Sequence, residues 1–171
     1  MKKFLGILGF LLVALTACGG AGESEGTLEV RDAWSRPVQQ MAMGMDAGES
    51  GEMSHNHEDG EMAAMGTPGV IFATIVNETN TADRLLRVET DVAERVEIHR
   101  TEVDANGVAK MMPQPNGVEI PAGETVRFEP GGYHVMLMGM QRDLQVGDTF
   151  EATFVFEKAG SITVTVEVRE Q

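Results

Sequence analysis

Ile162-Thr163-Val164-Thr165-Val166-Glu167-Val168-Arg169 alternates apolar and polar residues without a break. Successive side chains of a strand point to opposite faces, so a period of two marks a sheet with one buried side. Phe150, Ala152, Phe154 and Phe156 form a second stripe of this kind, Val126 and Phe128 a short third, and Leu28, Val30 and Trp34 a fourth. Val70 to Val76 is nearly continuous in apolar residues, the pattern of a central strand. Turn signals punctuate these stretches at Ala105-Asn106-Gly107, Pro115-Asn116-Gly117, Pro121-Ala122-Gly123, Pro130-Gly131-Gly132 and Lys158-Ala159-Gly160. No segment carries the 3.6-residue period of an amphipathic helix. The predicted class is all-β: a β-sandwich with Greek-key connections.

The 171 residues fit one domain with a tail, and 42% apolar content is enough for a core of that size. Thirteen basic residues against 27 acidic ones give a net charge of −14. Nucleic-acid binding needs a basic footprint, so this balance argues against it, and against a folded surface that binds anionic lipid. A single cysteine rules out an internal disulfide framework and any all-cysteine zinc or iron–sulfur site. Twelve methionines against four histidines is the unusual count.

The N-terminus reads as an address. Lys2 and Lys3 precede an apolar run from Phe4 to Leu15, too short to span a bilayer. It ends in Leu15-Thr16-Ala17-Cys18, which resembles the lipobox of bacterial lipoproteins. Residues 1–17 are therefore expected to be a signal peptide and Cys18 the lipidated N-terminus. Residues 18–26, small and polar, form a flexible tether, and residues 27–171 the folded domain. The location is extracytoplasmic or periplasmic, on a lipid anchor in the cell membrane or outer membrane.

Gln39 to Gly66 departs from the β pattern. It has almost no β-branched or aromatic residues but holds Met41, Met43, Met45, Met53, Met62, Met65, His55 and His57. It cannot bury enough apolar surface to order itself, and a mobile Met/His-rich loop is expected. One reading is a copper-collecting arm: Met41, Met43 and Met45 offer three thioethers, while His55 and His57 among acidic residues suit Cu(II). The other is a tolerated low-complexity insertion.

In the β region, four positions stand out. Val96 and Ile98 face the core, which turns His99 to the opposite face. Val135 and Leu137 do the same for His134, Met136 and Met138, with His134 and Met136 side by side. Met111, next to a Pro-rich turn, can close over them, and Met112 is an alternative to it. Thioether sulfur is soft and neutral, poor for zinc, magnesium or calcium and suited to Cu(I); imidazole adds affinity. Two histidines and two methionines therefore select Cu(I). A blue-copper site needs a cysteine thiolate, and the only cysteine is in the lipobox. Because these side chains lie off the core face, replacing them is expected to leave metal-free stability nearly unchanged. Methionine is also a common core filler, but methionines sharing the non-core face with a histidine are hard to explain as packing.

His99, Met111 and the pair His134-x-Met136 resemble the signature of the PCuAC family of periplasmic copper chaperones. The flanks agree: Gly107-Val108-Ala109-Lys110-Met111, Ile120-Pro121-Ala122-Gly123 and Pro130-Gly131-Gly132-Tyr133-His134-Val135-Met136-Leu137-Met138. The resemblance covers roughly Leu28 to Val168. It implies a cupredoxin-like β-sandwich with His99, Met111, His134 and Met136 as Cu(I) ligands. It also implies delivery of copper to the CuA centre of cytochrome c oxidase. Arg100 stands where some members carry a further methionine. Met112, Met138, Met41, Met43, Met45, His55 and His57 are auxiliary candidates, the loop offering a second site for Cu(II).

The expected function is an extracytoplasmic copper chaperone. Its partners would be the CuA subunit or another copper-assembly protein, and the membrane through the lipid anchor. The alternative is a copper-sequestering lipoprotein for copper tolerance. No nucleophile–base pair stands out, so no enzyme is expected. Cys18→Ser should abolish lipidation and release the protein from the membrane fraction. A wild-type protein that is wholly soluble with an unmodified N-terminus would contradict the lipobox reading.

Overall fold

A computed structural model describes residues 26–39 and 67–171. The signal segment, Cys18, most of the tether and residues 40–66 of the Met/His-rich stretch lie outside the described residues.

Ten strands follow in chain order: β1 (Leu28–Ser35), β2 (Gly69–Asn77), β3 (Asp83–Glu89), β4 (Ala93–Val103), β5 (Ala109–Pro113), β6 (Val118–Ile120), β7 (Thr125–Phe128), β8 (Tyr133–Met140), β9 (Thr149–Phe156) and β10 (Ser161–Val168). There is no helix among the described residues. The four stripes read from the sequence become β10, β9, β7 and β1, and the apolar run becomes β2. All five turn signals fall between strands. At the fourth residue of the 114–117 turn, Gly117 has φ 74°, and a Cβ there would sit 2.2 Å from the Leu85 carbonyl oxygen. No other residue fits that position.

The strands are hydrogen-bonded in the order β5-β4-β8-β7-β2-β1-β10-β9-β3-β6, with β2 also pairing β8. Neighbours distant in sequence, such as β4 beside β8 and β2 beside β7, give the crossovers of a Greek-key sandwich. The sheet closes on one core, in which Ile71, Ile75, Leu85, Ile120, Val135, Leu137, Phe154 and Val166 are fully buried. β2 is central, with β1, β7 and β8 all bonded to it.

Two irregularities interrupt the period-two pattern, and the second hides its strand from a sequence reading. β1 carries a bulge between Arg31 and Trp34, with Asp32 at φ 52°. β3 shifts register between Leu85 and Arg87, so Leu86 and Arg87 are both exposed between the buried Leu85 and Val88.

Asn77 closes the far end of the molecule. It is fully buried at the end of β2. Its Nδ2 reaches the carbonyl oxygens of Thr81, Ile120 and Pro121 at 2.9, 3.1 and 3.1 Å, and its Oδ1 accepts from Thr79 N and Oγ1. One side chain therefore ties the β2–β3 turn to the end of β6. Asn77→Ala should cost about 2–4 kcal/mol, because a fully buried side chain and its hydrogen bonds are lost, the one to the buried Ile120 carbonyl among them. Urea unfolding measures it; a loss under about 0.5 kcal/mol would show that the turns hold without this clamp.

Candidate metal centre

The β4–β8 pair builds the site. In its antiparallel register His99 lies directly opposite His134, and Glu97 opposite Met136. The two imidazole centroids are 5.9 Å apart, with ring planes tilted by 46°. Residues opposite one another share a face, and so do residues two apart on one strand. Ile98 pairs with Val135 and Val96 with Leu137 on the core face. Arg95, Glu97 and His99 therefore line the other face with Met138, Met136 and His134.

The β4–β5 hairpin decides between the two adjacent methionines. Thr101 pairs with Met111 and Arg100 with Met112. Thr101 shares the face of His99, so Met111 does too, and Met112 points to the other side. Met111 lies on the exposed edge strand β5 and is 56% exposed. With Thr101, His134 and Met136 it borders a cleft of about 420 Å³. Arg36 and Phe72 line it too.

Strand parity is as read from the sequence, but the histidines and the β8 methionines on this face are not open to water. His99, His134, Met136 and Met138 are only 5%, 7%, 8% and 3% exposed. The expectation that replacing them leaves metal-free stability unchanged is thus corrected. β2 lies alongside, bringing Val70 opposite Met136. Phe72 on the same face stacks on Trp34 at 4.7 Å between centroids. Arg36 lies over Phe72 and Arg169 over Trp34. Pro68, Pro130 and Gly131 complete the rim.

The polar partners of the donors are specific. His134 Nδ1 donates to the Gly132 carbonyl at 3.1 Å, leaving its Nε2 lone pair available. Burial lowers the His134 pKa, the Gly132 bond opposes this, and His99 adds a smaller lowering, so the neutral ligand form is favoured. His99 Nε2 lies 2.9 Å from Glu97 Oε2. Met138 Sδ accepts from Arg95 Nη2 at 3.3 Å, which turns this auxiliary candidate toward Arg95. Among the described residues no group of three or more His, Cys, Asp or Glu is placed to hold a metal. The histidines find further donors only when thioether sulfur is counted, and that donor set fits a soft monovalent ion. The loop candidates Met41, Met43, Met45, His55 and His57 lie outside the described residues, but Arg36 and Pro68, close to the two ends of that stretch, both border the cleft.

A model of the LpqE-like family, whose members are named provisionally as lipoproteins, matches residues 28–168. The chain belongs to this family. Lxx21020 of Leifsonia xyli subsp. xyli (strain CTCB07), also named provisionally as a lipoprotein, is 30% identical over 99 residues, 58% of this chain and 59% of that protein. The uncharacterized protein RP573 of Rickettsia prowazekii (strain Madrid E) is 33% identical over 98 residues, 57% of this chain and 54% of that protein. The match thus spans under two thirds of either relative. The copper-bound PCuAC domain from PmoF2 superposes with a TM-score of 0.56 at 24% identity, over 86% of this chain and 97% of that one. The Cu(I) form of DR1885 from Deinococcus radiodurans gives 0.56 at 20% identity, over 88% and 84%. The fold is that of the PCuAC domain.

His134→Ala should destabilise the metal-free protein by about 2–4 kcal/mol, since it opens a cavity and removes one of the two hydrogen bonds to the Gly132 carbonyl, the other coming from Thr101 N. Met136→Leu conserves volume and should cost less than about 1.5 kcal/mol. Urea unfolding separates them; equal and negligible losses would mean that this face is not packed.

Proposed function

We propose that this protein is an extracytoplasmic Cu(I) chaperone that holds the ion through His99, His134, Met136 and Met111. The observation that carries this reading is the β4–β8 register, which sets two histidines opposite each other beside a buried thioether. The residues lining the cleft beside His134, Met136 and Met111 include no carboxylate, the ligand type that hard cations favour, and Glu97 nearby is engaged with His99 and Arg95. The copper-bound state of PCuAC domains with this fold supports the reading. Thioethers are neutral and bind reversibly, so Cu(I) can pass to an acceptor by ligand exchange without breaking a thiolate bond and without electron transfer. The acceptor we propose is the CuA subunit of cytochrome c oxidase or another copper-assembly protein. Cys18 would carry the lipid that keeps the domain at the membrane, on its extracytoplasmic side.

A second reading, copper storage for tolerance, draws on the Met/His-rich stretch, which the chain enters shortly after Arg36 and leaves shortly before Pro68, both at the cleft. On this reading Met41, Met43 and Met45 add Cu(I) capacity, and His55 with His57 adds a Cu(II) site.

Anaerobic Cu(I) titration with X-ray absorption should find one tightly held ion with two nitrogen and two sulfur ligands. His134→Ala with Met136→Leu should weaken it at least tenfold, about 1.4 kcal/mol. Deleting residues 39–66 should keep this ion and lower Cu(II) capacity most. Unchanged affinity in the double variant would remove the site. Unchanged Cu(I) and Cu(II) stoichiometry after the deletion would remove the storage reading.

A further inference from the structure

Glu97 stands on the ligand face, two residues before His99 and directly opposite Met136. Its Oε2 is 2.9 Å from His99 Nε2, and its Oε1 is 3.4 Å from Arg95 Nε. An ionised carboxylate only accepts, so the imidazole proton sits on Nε2 and is donated to Glu97. The lone pair of His99 is then on Nδ1. That atom is the one buried side-chain nitrogen or oxygen without a hydrogen-bond partner among the described residues. Buried polar atoms are seldom left unpaired, and one that is calls for an explanation such as a missing ion.

His134 is held the other way round. The Gly132 carbonyl also only accepts, so the proton of His134 is on Nδ1 and its lone pair on Nε2. The two facing imidazoles are thus fixed in opposite tautomers, one by a carboxylate and one by the backbone.

We infer that Glu97 is a positioning residue for copper: it fixes the His99 tautomer and ring orientation so that Nδ1, not Nε2, is the donor atom. Arg95 holds Glu97 in turn and, through its bond to Met138 Sδ, keeps that sulfur away from the ion. A carboxylate behind a ligating imidazole also makes it a stronger donor. This role rests on the reading of His99, His134, Met136 and Met111 as the Cu(I) site.

The test uses the full chain with Glu97→Ala and Glu97→Gln, and His134→Ala as a control. Nitrogen-15 NMR of the metal-free protein reads the His99 tautomer, and competition with a Cu(I) chelator reads affinity. The wild type should carry the His99 proton on Nε2. Glu97→Ala should mix the tautomers and weaken Cu(I) binding by about 10–100-fold. Glu97→Gln, whose amide oxygen still accepts from Nε2–H, should recover most of both. A wild-type His99 protonated on Nδ1 would overturn the inference. So would Cu(I) binding by Glu97→Ala that is undiminished, or lost without a tautomer change. If His134→Ala weakens binding while Glu97→Ala does not, only the role of Glu97 falls; if neither does, the copper-site reading falls with it.

Discussion

The antiparallel register of β4 against β8 is the constraint from which the site follows. It sets Ile98 against Val135 on one face and His99 against His134 on the other. A one-residue slip would exchange these faces, burying Glu97 in the core and exposing Ile98. The core therefore enforces the ligand geometry: Val135 and Leu137 are fully buried, and their packing against the opposite layer locks the strand that carries His134 and Met136. No separate element is needed to bring the two histidines together.

β8 is covered on both sides, unlike the strands whose stripes first revealed the fold. Its core face meets the sandwich interior; its other face is closed by β2, the Trp34–Phe72 stack and the loops at Pro68 and Pro130. A thioether in such surroundings is shielded from oxidants and from competing water, while Arg36 and Arg169 place positive charge beside the aromatic wall of an otherwise acidic protein. The donors are thus preorganised on packed strands rather than gathered from loops.

Much of this was legible in the chain. Period-two stripes located β1, β7, β9 and β10, and parity alone turned His99, His134 and Met136 to one face. β3 was not legible, because the register shift between Leu85 and Arg87 breaks its alternation. The choice of Met111 over Met112 needs the pairing of the β4–β5 hairpin, which a sequence with a loop of this length leaves open. Burial of the ligand face depends on β2, more than fifty residues from β8 in the chain. Glu97 was within reach: the same parity that orients His99 also orients its neighbour two residues back.

β5 ends the hydrogen-bonded order, so one of its sides has no partner strand among the described residues. It must leave Met111 accessible, and an exposed apolar edge invites other chains to add themselves to the sheet. The five residues Ala109-Lys110-Met111-Met112-Pro113 contain the counter-measure. Pro113 has no amide hydrogen to offer an incoming strand, and Lys110 places a charge that a stacked second copy would have to bury beside its own. The strand is also too short to template a long ladder. Access for a soft ion and resistance to aggregation are therefore built into the same short edge.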